Sequence, residues 1–189
     1  MLRKAIFHLT LLIILSMVVA CSSDNKEETF YTRIGEATLH AGDTLPAPTG
    51  DVILTVTGKV GITNVDDTIQ MDIAMIEAAG QFEYEVTDPF ESVDRVYGGP
   101  LMSDLLALWQ VPDDATQIEI TALDDYVVTV SIKDLRDYPV LFALQQDGEY
   151  MPVATRGPAM LVFPYNNFEF EEQIYNDFWA WQIKSINVQ

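Results

Sequence analysis

Cys21 is the only cysteine in the chain, and His40 is the only histidine beyond the apolar N-terminal run that carries His8. Those two facts remove most metal and nucleophile chemistry. A zinc or iron centre built on imidazole needs several histidines, and a thiolate site needs a cysteine inside the folded part. A serine-hydrolase triad would have to recruit His40, and no G-x-S-x-G turn is present to display its serine. Carboxylates remain. Asp and Glu number 29 against 10 Lys and Arg, a formal net charge of −19, so nearness of two acids in sequence means little. A surface of this sign repels nucleic acid and anionic lipid headgroups, and it takes an anionic ligand only through a local basic pocket. Beyond the N-terminal run, the arginines that can build one are Arg33, Arg95, Arg136 and Arg156.

The chain begins Met1-Leu2-Arg3-Lys4, and Ile6 to Val19 is almost continuously apolar. Val18-Val19-Ala20-Cys21 reads as a lipobox closing that run. The run is too short for a comfortable membrane span, which predicts a lipoprotein signal peptide over 1–20 and a lipidated N-terminus at Cys21. An ordinary cleaved leader and an uncleaved anchor are the alternatives. Loss of Arg3 and Lys4 takes the formal charge from −19 to −21, and lipidation leaves no free thiol. Ser22, rather than Asp, follows the cysteine, so the expected location is the periplasmic side of the outer membrane. Residues 21–50 read as lipidated cysteine, polar tether and an extended arm that packs on the domain. Residues 51–189 read as one domain without linker or repeat.

Strands dominate that domain. Val52 to Thr57 is β-branched and stops at Gly58; Ile118 to Leu123 alternates, and Tyr126 to Val130 follows across Asp124-Asp125 as a hairpin. Further strands are expected at Val140–Leu144, Tyr150–Ala154, Ala159–Phe163 and Trp181–Val188. Asp72 to Ala79, closed by Gly80, has an acid start and a glycine stop. Pro100 to Trp109 puts Leu101, Leu105 and Leu108 on one helical face. Ser131-Ile132-Lys133-Asp134 has the form of a capping box. The class is α+β with a mixed sheet.

Seven segments in order resemble the sulfite-oxidase-type molybdopterin-binding domain in its small stand-alone form: VILTVTG (52–58), YGGPLMSDLL (97–106), ALDDYVVTV (122–130), DLRDYP (134–139), DGEYMP (147–152), RGPAMLVFP (156–164) and WQIKSINV (181–188). The resemblance implies a mixed α/β fold in which a pyranopterin holds molybdenum on one protein cysteine. That cysteine would fall near Val86-Thr87-Asp88, where this chain has none. In size, export and missing cysteine the chain is similar to PruR-type periplasmic pterin-binding regulators. That similarity implies a free reduced pterin as ligand, no tightly bound cofactor, and control of a membrane-bound cyclic-di-GMP enzyme through its periplasmic region. Molybdopterin is the lesser expectation. A molybdopterin-dependent oxidoreductase with atypical ligation and a ligand-free interaction module are the rivals.

The resemblance nominates the ligand contacts. A pterin presents a 2-amino group beside an N3–H, a donor pair that one carboxylate accepts. Asp125 is the candidate, with turn formation as the competing role; Asp124 departs from the Asn usual in the family. Tyr126 stacks on the ligand or enters the core. Arg156 meets the ligand carbonyl or forms a buried ion pair. Gly157 lets a ligand approach the backbone. Phe163, at a position often Tyr, and Tyr165 complete the set. Asp125 and Arg156 are expected to share one cleft. The aromatic stretch from Phe168 to Trp181 is core, or a partner-binding surface.

Overall fold

The computed structural model describes residues 30–189. The leader expected over 1–20, Cys21 and the tether expected after it lie outside the described residues. In chain order the elements are β1 (Thr32–Gly35), β2 (Leu54–Gly58), β3 (Ile69–Met71), α1 (Ile73–Glu77), β4 (Gln81–Thr87), β5 (Asp94–Gly99), α2 (Met102–Leu108), β6 (Gln117–Ala122), β7 (Val127–Ser131), α3 (Ile132–Asp137), β8 (Leu141–Ala143), β9 (Gln145–Gln146), β10 (Glu149–Tyr150), β11 (Met160–Val162), α4 (Glu172–Tyr175), a 3-10 turn at Asn176–Phe178, and β12 (Ile183–Val188). They build a sheet ordered β1-β4-β5-β9-β10, a mixed sheet ordered β3-β2-β12-β6-β7, and the pair β11-β8. Only β12 with β2 runs parallel; the other pairs are antiparallel. The α+β class with mixed pairing is the one the sequence predicts.

Alternation explains the ladders. In β6, Ile118, Ile120 and Ala122 point inward, and Val128 and Val130 of β7 do the same. Gln117 pairs Ser131 and Thr121 pairs Val127, so the hairpin closes at Asp124-Asp125, where Asp125 takes φ 66°. A short polar side chain tolerates that left-handed conformation. In β12 a register shift between Ile183 and Ser185 keeps both Ile183 and Ile186 inward. Strands β1, β3, β4, β5 and β9 add to those expected, and β4 pairs β5 from Phe82–Gly99 to Thr87–Asp94. The strand expected over Tyr150–Ala154 is corrected. Only Glu149–Tyr150 pairs, because Pro152 opens a turn whose carbonyl accepts the N–H groups of both Thr155 and Gly157 at 3.0 Å.

Among the described helices, α1 alone begins on a side-chain cap. Asp72 caps α1 through Met75 N–H, 2.9 Å away, and Gly80 beyond its end sits at φ +97°. α2 buries Met102, Leu105, Leu106 and Leu108. Ser131 occupies the N-cap of α3, but its side chain makes no capping bond; Ile132 N–H donates to Thr116 O instead. The arm packs and pairs: β1 lies along β4, Thr38 and Leu39 both donate to Ala78 O at 2.8 Å, and Leu45 is buried. Among the described residues no helix is long and apolar enough to cross a membrane.

Candidate functional site

Alternation in β4 sends Phe82, Tyr84 and Val86 inward, and the next residue on that face is Asp88. Its side chain is fully buried. A charge there must be paired and hydrogen-bonded. Oδ1 accepts the N–H groups of Phe90 and Glu91 at 2.8 and 2.9 Å; Oδ2 accepts the Tyr97 hydroxyl at 2.8 Å and Nη1 of Arg156. Burial pushes the Asp88 carboxyl up, but Arg156, Tyr97 and the two N–H groups outweigh it and hold it below the usual carboxylate range. Arg156 also donates to the Tyr97 oxygen at 2.9 Å and to Glu91 Oε1 at 3.1 Å. Its guanidinium lies 4.5 Å from the centroid of Trp181.

Trp181 forms one wall of a cavity of about 270 Å³. Phe90, Tyr126 and Trp179 supply the other aromatic walls. Phe90 meets Trp181 edge-on with centroids 5.1 Å apart and Trp179 at 6.5 Å. Asp124, Asp177, Asn176 and Gln182 bring polar groups to the lining. Asp124 Oδ1 accepts Tyr126 N–H at 3.0 Å, which leaves Oδ2 without a partner among the described residues. Asp177 has neither an ion-pair nor a hydrogen-bond partner among them. The Trp181 indole N–H is buried and undonated. Burial and the Asp177 charge raise the Tyr126 hydroxyl above its ordinary pKa. An apolar slot with convergent acceptors and the spare indole donors of Trp179 and Trp181 suits a flat heterocycle rich in N–H groups.

The expected contacts divide. Tyr126 lines the cavity. Asp125 does not: in its left-handed turn the carboxylate swings to Lys184 Nζ, 2.6 Å away, and stays exposed. Arg156 stands against Trp181 outside the lining, spent on Asp88 and Glu91. The shared Asp125–Arg156 cleft is therefore corrected, since turn geometry and a buried pair take the two residues apart. Gly157 is close-packed against protein, not open to a ligand, because a Cβ there would stand 1.9 Å from Met151 O. Phe163 is fully buried among Phe170, Tyr175 and Phe178 and does not line the aromatic slot. Tyr165 lines a separate cavity of about 560 Å³ with Asn166 and Asp88, and its hydroxyl donates to Asn176 Oδ1 at 2.9 Å. Sequence reasoning missed Asp177 and the Trp pair as a site. Their signal was Asn176-Asp177 set inside an aromatic run, which packing alone also explains.

The chemistry of the donors decides what the site can hold. No cysteine lies among the described residues, and all four acceptor positions of Asp88 are filled, so nothing at 86–88 is available to ligate molybdenum. Arg95 pairs with Glu91 and Asp147, Arg136 with Asp113, and Arg156 with Asp88, so no free cation stands near the slot to hold a cofactor phosphate. The residues present do not fit a metal-loaded, phosphate-tailed cofactor.

A family model described as "Oxidoreductase molybdopterin binding domain" matches residues 74–168, from α1 through Asp88 and Arg156 to Phe168. Among solved structures, the sulfane dehydrogenase SoxCD from Paracoccus pantotrophus aligns with a TM-score of 0.54 at 14% identity, over 71% of this chain and 37% of that one. This chain thus spans little more than a third of that structure, and the likeness is one of fold. No curated protein matches.

Proposed function

We propose that this chain, which belongs to the oxidoreductase molybdopterin-binding domain family, is an exported, lipid-anchored protein that binds a free reduced pterin without a catalytic metal and regulates a membrane-bound cyclic-di-GMP enzyme. The fold is the sulfite-oxidase type. One observation carries the ligand reading: where the family's thiolate is expected, a buried Asp88 is saturated by Arg156, Tyr97 and two backbone N–H groups.

The aromatic slot beside it then takes the ring. Asp177 or the free oxygen of Asp124 accepts the pterin's 2-amino and N3–H donors, and the Trp181 N–H meets a ring acceptor. Phe90 rides on the loop that Asp88 and Glu91 tie to Arg156, and Arg156 rests on Trp181. A ligand in the slot therefore touches both ends of one ion-pair network. Its occupancy shifts the population of the 88–93 loop, and a partner reads that loop.

The test is mass spectrometry of small molecules released from the natively exported protein, with metal analysis of the same sample. We expect a reduced pterin and molybdenum far below one atom per chain. Stoichiometric molybdenum would return the chain to the oxidoreductases. Absence of any pterin, together with no heat on titrating tetrahydropterin, would leave an interaction module.

A further inference from the structure

A further cavity, of about 420 Å³, lies between the N-terminal arm and α2. Arg33 and Asp104 face it from its two sides, among Ala37, Ala41 and Ala79. Arg33 is the one cation among the described residues without an ion pair; every described lysine and every other described arginine has one. Its guanidinium lies 4.3 Å from the centroid of Phe82, and its side-chain N–H groups have no hydrogen-bond partner among the described residues. A Cβ at Gly80 would stand 3.1 Å from Arg33 Nη1, so glycine there keeps the approach open. Across the gap Asp104 is half-buried, and its carboxylate has no hydrogen-bond or ion-pair partner among the described residues. Burial raises its carboxyl, and only the Arg33 charge opposes that rise. The two charges attract without touching.

We infer that this cavity is a second ligand site, distinct from the aromatic slot, for a small zwitterion: an α-amino acid whose carboxylate meets Arg33 and whose ammonium meets Asp104. Such a ligand supplies the partner that each group lacks, whereas a plain anion or cation satisfies one and leaves the other bare. Small alanine walls leave room for the backbone of an amino acid. Glu36 and His40 also line the cavity, and Glu36 suits a basic side chain there. The site does not depend on the pterin reading.

Calorimetric titration with L-lysine, acetate and ethylammonium tests it on the full chain. We expect saturable binding of L-lysine with a Kd of about 0.1–1 mM, and binding of acetate and ethylammonium at least about tenfold weaker. Arg33→Gln and Asp104→Asn should each weaken L-lysine binding by about tenfold or more. The arm's separate bonds from β1, Thr38 and Leu39 keep the variants folded. A cation beside Asp104 favours its ionised form, so binding at acid pH should release a proton, seen as a heat that varies with buffer, and Asp104→Asn should abolish that release. No saturable heat by roughly 10 mM L-lysine would overturn the inference. So would half-ligands that bind as tightly as L-lysine, a comparison that needs no variant, or either substitution leaving affinity unchanged.

Discussion

Asp88 shows how one residue both occupies the place where the family's thiolate is expected and ties the fold together. Removing Arg156 strips its strongest partner and leaves a buried charge uncompensated, so Arg156→Ala should cost about 3–5 kcal/mol in urea unfolding. The pH dependence has a definite sign. The folded Asp88 carboxyl titrates below its unfolded value. Its contribution is therefore complete above about pH 4 and is lost as pH falls through the folded value. Asp88→Asn should flatten the decline of the urea midpoint below pH 4; an equally steep decline in the variant would assign the acid sensitivity elsewhere. At the slot, a charge-assisted bond of about 1.5–3 kcal/mol makes Asp177→Asn weaken pterin binding by roughly ten- to a hundredfold. Asp125→Asn, whose carboxylate serves exposed Lys184, should leave that affinity as it is. Parallel titrations of the two variants with tetrahydropterin separate the residues, and a loss confined to Asp125→Asn would move the ligand out of the slot.

At the scale of elements, the start of α1 joins local capping to long-range closure. Asp72 is buried; one oxygen caps Met75, and the other accepts Thr49 and Gly50 N–H at 2.9 and 2.7 Å. The Gly50 N–H does most to hold its carboxyl low, against burial and alongside Met75 and Thr49. Asp72→Ala orphans three N–H groups and should cost about 2–4 kcal/mol by urea unfolding, with Asp72→Asn between the two. The acid at a helix start was plain in sequence; its grip on residues 49 and 50 was not, because nothing local couples positions more than 20 apart. The same limit governed the site. The Asp-Asp hairpin was legible from two alternating runs, yet which aspartate faces the slot depends on φ 66° at Asp125 and on a lysine 59 residues away. Arg156 was legible as either ion pair or ligand contact, and only the placement of β4 against the 156–157 turn chose the pair. Phe163 reads the same in sequence whether a strand's face meets ligand or core, and here it meets Phe170, Tyr175 and Phe178.

At the scale of the whole molecule, the seven family-like segments fall on β2, β5 and α2, the β6–β7 hairpin, α3, the β9–β10 turn, β11 and β12, which is why their order alone pointed to the fold. The arm before residue 51 carries no such segment, and the sequence read it only as an extended arm packed on the domain. The structure gives it three. β1 covers one edge of β4, Arg33 caps the Phe82 ring, and Leu45 fills a buried seat. A chain beginning at Asp51 would leave β4, at the end of its sheet, with a row of unpaired N–H and C=O groups over Phe82 and Tyr84, a ready template for pairing with another copy. Burial of Leu45 alone contributes about 1.5–3 kcal/mol, a sizeable part of a typical domain's net stability. We therefore expect a chain beginning at Phe30 to melt cooperatively as a monomer, and one beginning at Asp51 to melt several degrees lower and to aggregate on heating. Light scattering recorded through thermal melts of the two chains checks this. Equal melting temperatures without added scattering would mean that the arm is an accessory tether and that the folded unit begins at residue 51.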